Sequence, residues 1–411
     1  MDTTTLLIIG GAGAIGFYMA WGIGANDVAN SMSTAVGAKA ITHRQAVIIA
    51  GVLVFLGAVL VGPNVTETIK SGIVKVDVIP ANLLILGFIS ALLAAAIWAT
   101  LSTWKEMPIS TTHSIIGALM GFGIVAGGVS SVNWTKIGLV ASSWVLSPVF
   151  GCILAFIVFK IIVRLIFAKE EPVKSAKIVG PVIIGATGFL ITSSFLLKTP
   201  LSKSLELSIF TSLGISLLVS IIVGIIGIFL LRKIQAQREE DYSTVENIFR
   251  KLQVVTSCYV AFSIGANDVA NAIGPVAGIL PLAETGQLSL NASIPPQLLA
   301  LGGIGIAVGA MTWGRKVMKT VGSRITNLTN TRGFSVDFGA ATTVLVASKL
   351  TLPVSTSHTV VGAVIGVGLA RGLEAVDLSV IKKIVISWVL TLPIAAVTCI
   401  GIFLFLRMIV G

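Results

Sequence analysis

GANDVAN, residues 24–30, puts two amides and a carboxylate into a run that is otherwise apolar enough to cross a membrane, and the same string returns unchanged at 265–271. Two further strings repeat in the same order at nearly the same spacing. PISTTH at 108–113 answers PVSTSH at 353–358, and SWVL stands at 143–146 and again at 387–390. The chain therefore reads as two homologous halves, and two halves imply one shared site.

Composition sets the class. Hydrophobic residues make up 55% and charged residues 11% of the chain, against about 25% charged in an ordinary soluble domain. Several uncharged stretches approach the roughly 20 residues that span hydrocarbon. This predicts an all-α integral membrane protein, with the lipid bilayer as its first partner. The 43 glycines fit helices that approach closely or break around a cavity. A net charge of +11 spread through short loops gives no nucleic-acid footprint. The cysteines, Cys152, Cys258 and Cys399, lie in apolar segments and read as buried thiols, with neither a disulfide framework nor a metal site. No basic residue precedes the first apolar run, so no cleaved signal peptide is expected.

Full spans are predicted at about 5–30, 45–62, 136–168, 176–197, 205–231, 252–276, 297–314 and 380–410. Two helical pairs at about 81–128 and 334–370 carry PISTTH and PVSTSH at their turns. The expected architecture is thus about eight full spans plus four hairpin helices. With both termini outside, most Lys and Arg fall on the inner side, and only Lys70, Lys75, Lys136, Lys198, Lys203 and Arg407 face out, which is the positive-inside pattern. That topology makes the GANDVAN helices antiparallel, so the repeat is inverted, as in many secondary transporters. Residues 1–168 form the first repeat, 169–251 two linking helices with a charged, solvated inner loop at 232–247, and 252–411 the second repeat. If every hairpin leg crossed, the two turn strings would lie on opposite sides. As re-entrant hairpins they meet at the midplane, where irregular backbone is tolerated only around a cavity.

A proline followed by Ser110, Thr111 and Thr112 ahead of an apolar run is a helix start, and Ser355, Thr356 and Ser357 repeat it. Hydroxyls and free N–H groups at such a positive helix end suit phosphate or sulfate oxygens, with plain capping as the alternative. Asn26 and Asn30 share a helical face with Asp27 beside them, and Gly22 and Gly24 permit local unwinding that frees carbonyls. A carboxylate at that depth calls for a cation or donor. Asp27, Asn30, Asp268 and Asn271 are assigned to hard cations such as sodium. Asn26 and Asn267 are assigned, with the six hydroxyls, to the anion. His113 and His358 are expected to fix neighbouring backbone by hydrogen bonds, Lys105 and Lys349 to snorkel or pair, and Asp337 to be solvated near the inner surface.

The doubled GANDVAN with PISTTH and PVSTSH resembles the PiT family of inorganic phosphate transporters over nearly the whole chain. The resemblance implies phosphate uptake by alternating access, coupled to co-transported sodium or protons, with no organic cofactor. It also implies a scaffold that makes a homodimer, and roles for Asn26, Asp27, Asn30, Asn267, Asp268 and Asn271. The short inner loop points to a prokaryotic type, hence the cell (inner) membrane, while the uncharged 46–61 lacks an acid that eukaryotic members carry. Sodium is the expected coupling ion. A sulfate permease or a proton-coupled symporter of the same fold is the alternative. A passive anion channel would be opposed by Asp27 and Asp268, and an enzyme would need an activated nucleophile that these hydroxyls lack.

Overall fold

The computed structural model describes residues 3–62, 72–198, 205–235, 241–287, 294–349 and 354–410. Lys70, Lys203, Arg238 and Pro353 lie outside the described residues, as do the side chains of Lys198 and Lys349. Among the described residues the structure is helical, with one isolated antiparallel bridge between Val74 and Val132. The first half holds α1 Thr3–Ile23, α2 Ala29–Gly37, α3 His43–Val61, α4 Ala81–Trp104, α5 Thr111–Gly127 and α6 Trp134–Ile162. Then follow α7 Pro172–Lys198 and α8 Ile209–Arg232. The second half holds α9 Tyr242–Thr285, α10 Pro296–Trp313, α11 Arg315–Lys319, α12 Asn330–Lys349, α13 Thr356–Leu369 and α14 Leu378–Val410.

Helix starts follow local chemistry. Thr42 and Gln45 close a capping box on α3, Asn133 accepts from the Lys136 N–H at the start of α6, and Ser208 accepts from Thr211 on α8. Each satisfies a donor that the first helical turn leaves orphaned.

Among the described residues eight helical runs are long and apolar enough to cross a membrane: Thr3–Gly37, His43–Val61, Ala81–Trp104, Trp134–Phe167, Pro172–Leu197, Ile209–Arg232, Pro296–Trp313 and Leu378–Ile409. Ala81–Trp104, expected as one leg of a returning pair, is among them by length and composition, as its sequence allows. This set departs from the sequence reading in one place. The expected span 252–276 is instead the middle of α9, whose 44 residues extend about 66 Å, twice the hydrocarbon thickness of about 30 Å. α9 begins inside the loop expected at 232–247 because Asp241 accepts from the Ser243 N–H and the Thr244 hydroxyl. Val245, Ile248 and Phe249 then bury against Ile162, Val173 and Phe334.

α4 packs on α5 and α12 on α13, so both expected helical pairs are present. Each half is completed by the other. α5 lies along α14 and α13 along α6, while α1 packs on α10 and α9 on α3. A Cβ at Gly24 would overlap the Ile306 carbonyl, and one at Gly265 the Val54 carbonyl; only bare backbone allows these approaches. Cys399 is buried, whereas Cys152 and Cys258 are half-buried.

Candidate functional site

Between α1 and α2 the helix does not unwind as expected; Gly24–Val28 forms a π turn, a distortion that recurs at functional sites. It carries Asp27, 2% exposed, to the point where the two hairpins meet. The Thr111 hydroxyl donates to Asp27 Oδ2, and the Ser357 hydroxyl donates to Oδ1 at 2.5 Å. Asn30 Nδ2 donates to Ser357 Oγ at 2.9 Å, while Asn30 Oδ1 is buried and has no hydrogen-bond partner among the described residues. One carboxylate thus receives a hydroxyl from the start of each hairpin's second helix, and the two turn strings do come together.

The histidines pack there in a way the sequence does not suggest. The His113 and His358 rings stand edge to face at 4.9 Å, and His358 stacks on Trp388 at 3.9 Å. Among the described residues neither ring nitrogen of His358 has a hydrogen-bond partner, and its contacts there are ring contacts, not hydrogen bonds to backbone. Trp388 donates to the Pro108 carbonyl at 3.1 Å instead.

The six hydroxyls divide by task. Ser110 and Ser355 cap their helices, accepting from the His113 and His358 N–H groups at 3.2 and 3.3 Å. Thr111 and Ser357 hold Asp27, Thr112 accepts from Asn271 Nδ2 at 2.9 Å, and Thr356 lines a cavity of about 20 Å³ with Tyr259 and Ser263. The amides divide too. Asn26 Nδ2 donates to Thr103 Oγ1 and the Met107 carbonyl, both at 3.0 Å, and its Oδ1 accepts the Ile109 N–H at 3.0 Å. Both amide donors are therefore spent on the hairpin turn, which departs from the expected place against the anion. Asn267 is half-buried and makes a 3.4 Å bond to Ser263 within its own helix. Asp268 is buried in the regular helix α9. Glu106 pairs with Arg324 at 2.5 Å, tying the first turn to the π turn after α11.

Asp337 is the residue that sequence reasoning misplaces. It is 1% exposed and accepts from the Thr34, Ser257 and Thr256 hydroxyls at 2.8, 2.5 and 3.3 Å. It is buried and bonded on both oxygens, not solvated. One turn before Ser257 on α9, Gln253 is fully buried, both its amide atoms lack hydrogen-bond partners among the described residues, and it packs against Gly333, one turn before Asp337. A signal exists: Thr34 lies one turn beyond Asn30, and Thr256 and Ser257 precede the second signature string. Among the described residues no three His, Cys, Asp or Glu side chains converge. The oxygen donors are single carboxylates ringed by hydroxyls and amides, a set suited to hard cations.

The profile of the Phosphate transporter family matches residues 23–399. A provisionally named phosphate permease of Thermococcus kodakarensis is 52% identical, covering 100% of this chain and 99% of its own. The inorganic phosphate transporter 2-1, chloroplastic, of Arabidopsis thaliana is 41% identical over 93% of this chain and 69% of its own. A solved structure of a sodium-dependent phosphate transporter superimposes with a TM-score of 0.89 at 48% identity, covering 98% of this chain and all of that one (100%).

Proposed function

Because the chain belongs to the phosphate transporter family, we infer that it imports inorganic phosphate by symport with sodium across the membrane it spans. It is a transporter and not an enzyme. The observation that carries the site is Asp27: a buried carboxylate held by one hydroxyl from each hairpin start, with the unpartnered Asn30 amide oxygen beside it. A sodium ion would find there a carboxylate, two hydroxyls and an amide oxygen.

Phosphate is assigned to the starts of α5 and α13, which meet at Asp27, with Ser110, Thr111, Thr112, Ser355, Thr356, Ser357 and Asn267 as its proposed ligands. Thr111 and Ser357 then bridge the anion to the Asp27 cation. Asn26 acts through the turn it holds. Asp268 with Asn271 offers the second cation site, and Asp337 with its three hydroxyls a third. Charge supplies the reason for that many. At about 100 mV, inside negative, each negative charge imported is opposed by roughly 2.3 kcal/mol. Two sodium ions cancel a phosphate dianion, and a third lets the potential drive the cycle.

The two repeats work as inverted halves, with both hairpins re-entrant and both termini outside, alternating access to the shared site. The protein acts as a homodimer in the cell membrane. Labelled phosphate uptake into proteoliposomes tests the reading. A sodium gradient alone should drive uptake, and excess sulfate should leave it intact. Uptake driven by a pH gradient without sodium would overturn the coupling, and equal competition by sulfate would overturn the anion.

A further inference from the structure

One face of α9 continues through two successive cavities. Asn247, Arg250, Lys251 and Val254 line the first, about 520 Å³, against Ala40 and Ile41. Val255, Cys258, Tyr259, Phe262, Ser263 and Ala266 line the next, about 300 Å³, with Leu53 of α3 and Phe195 of α7 opposite. The spacing of three and four residues is that of a single helical stripe, so the cavities follow one another along the helix.

Their chemistry differs sharply. The first carries two cations at its mouth. Arg250 spends Nε on the Ala40 carbonyl at 2.8 Å, its terminal nitrogens make no hydrogen bond among the described residues, and neither Arg250 nor Lys251 has an ion-pair partner among them. The second is almost wholly apolar, and Val255 and Phe195, 48% and 42% exposed, form its open side. From Val255 to Ala266 the helix rises about 17 Å, close to half of a hydrocarbon core about 30 Å thick. Uncompensated positive charge followed by one leaflet's depth of apolar groove is the outline of a lipid and not of a free ion.

We propose that one anionic phospholipid occupies this groove, its phosphodiester on Arg250 and Lys251 and an acyl chain between α3, α7 and α9. Basic pockets at the ends of membrane helices select such headgroups. The far end of the groove bears on transport, because Ser263, which lines it, accepts the Asn267 hydrogen bond of the second signature string. The basic headgroup end of the groove shares no residue with the phosphate site around Asp27, so either assignment can fail without the other.

The test is native mass spectrometry of the purified full-length protein after exchange into mixed phosphatidylglycerol and phosphatidylcholine. Wild type should retain one phosphatidylglycerol in preference to phosphatidylcholine. Lys251→Gln, which breaks no described hydrogen bond, should weaken retention about fivefold, and the double variant Arg250→Gln with Lys251→Gln about thirtyfold. Ser194 also lines the apolar part, and Ser194→Phe, which fills it, should lose the lipid too. Sodium-dependent binding of inorganic phosphate shows in each case that the variant is folded. Equal retention of phosphatidylcholine, undiminished retention in the charge variants, or displacement of the lipid by inorganic phosphate would each overturn the proposal, the last by making the basic cavity a free-anion site.

Discussion

Residues 24–30 and 265–271 are one sequence in two conformations. The first copy bends through a π turn, gives Asp27 to both hairpins and spends Asn26 on the first turn. The second runs straight through α9, leaves Asn267 half-buried and offers Asn271 to Thr112. Local propensity cannot explain the difference, because the residues are identical; the surroundings choose. A string that tolerates both shapes is what a repeated pair needs if its copies are to trade conformations, since two states separated by a few kcal/mol can be biased by a bound ion.

The largest test of this asymmetry is the carboxylates. Asp27→Asn replaces one of the two accepting oxygens by an amide donor and takes the charge from the other, in bonds each worth roughly 1.5–3 kcal/mol, and should reduce sodium-driven uptake about 100-fold or more. Asp268→Asn should leave measurable uptake displaced to higher sodium. Equal defects in the two variants would erase the distinction. Next come the amides. Asn26→Ala leaves the Ile109 N–H buried without its acceptor and should lower stability by about 2–3 kcal/mol, whereas Asn267→Ala should stay within about 0.5 kcal/mol. Thermal unfolding of the purified variants compares them, and a matched pair of melting temperatures would mean that the turn is held by something else.

The paired hydroxyls follow. Thr112→Val and Thr356→Val should each weaken phosphate binding by roughly 1–3 kcal/mol, read by calorimetry at fixed sodium; undiminished affinity in both would remove these hydroxyls from the anion. The smallest effect separates two caps at equivalent places in the halves. Asn133 accepts the Lys136 N–H on α6, while Asp377 accepts the Ser379 and Val380 N–H groups on α14. The Ser379 hydroxyl, which donates to the same carboxylate oxygen at 2.7 Å, and then the Val380 N–H hold the Asp377 carboxyl below its ordinary range. A depressed folded value gives stability that is present above the unfolded carboxylate value of about 3.9 and lost as pH falls through the folded one. Asp377→Asn should therefore flatten the acid limb of unfolding slightly, and Asn133→Ala should not alter its pH dependence.

Duplication makes much of this molecule legible from its residues alone. The repeated strings single out Asp27, Asn30, Thr111 and Ser357 and imply that the two turns meet, and they do. What repetition cannot show is how identical residues differ, so it gives Asn26 and Asn267 the same role. Asp337 is misread for another reason: its place at the start of the second hairpin, near the inner surface, suggests solvent, while its partners Thr34 and Ser257 stand 303 and 80 positions away. Charges at 232–247 likewise outweigh Val245, Ile248 and Phe249, whose helical spacing starts α9 early.

α5 ends at Gly127, yet α14, along which it lies, begins only at Leu378. A ribosome adding about 5–20 residues per second needs on the order of 10 to 50 s to cover that interval. Until then the hydroxyl-rich turn at Ser110 has no wall on one side and must be sheltered by lipid headgroups or by the insertion machinery. Stop codons placed just ahead of α14 would accordingly be felt first at the earliest-made hairpin, the better part of the chain away from the lesion.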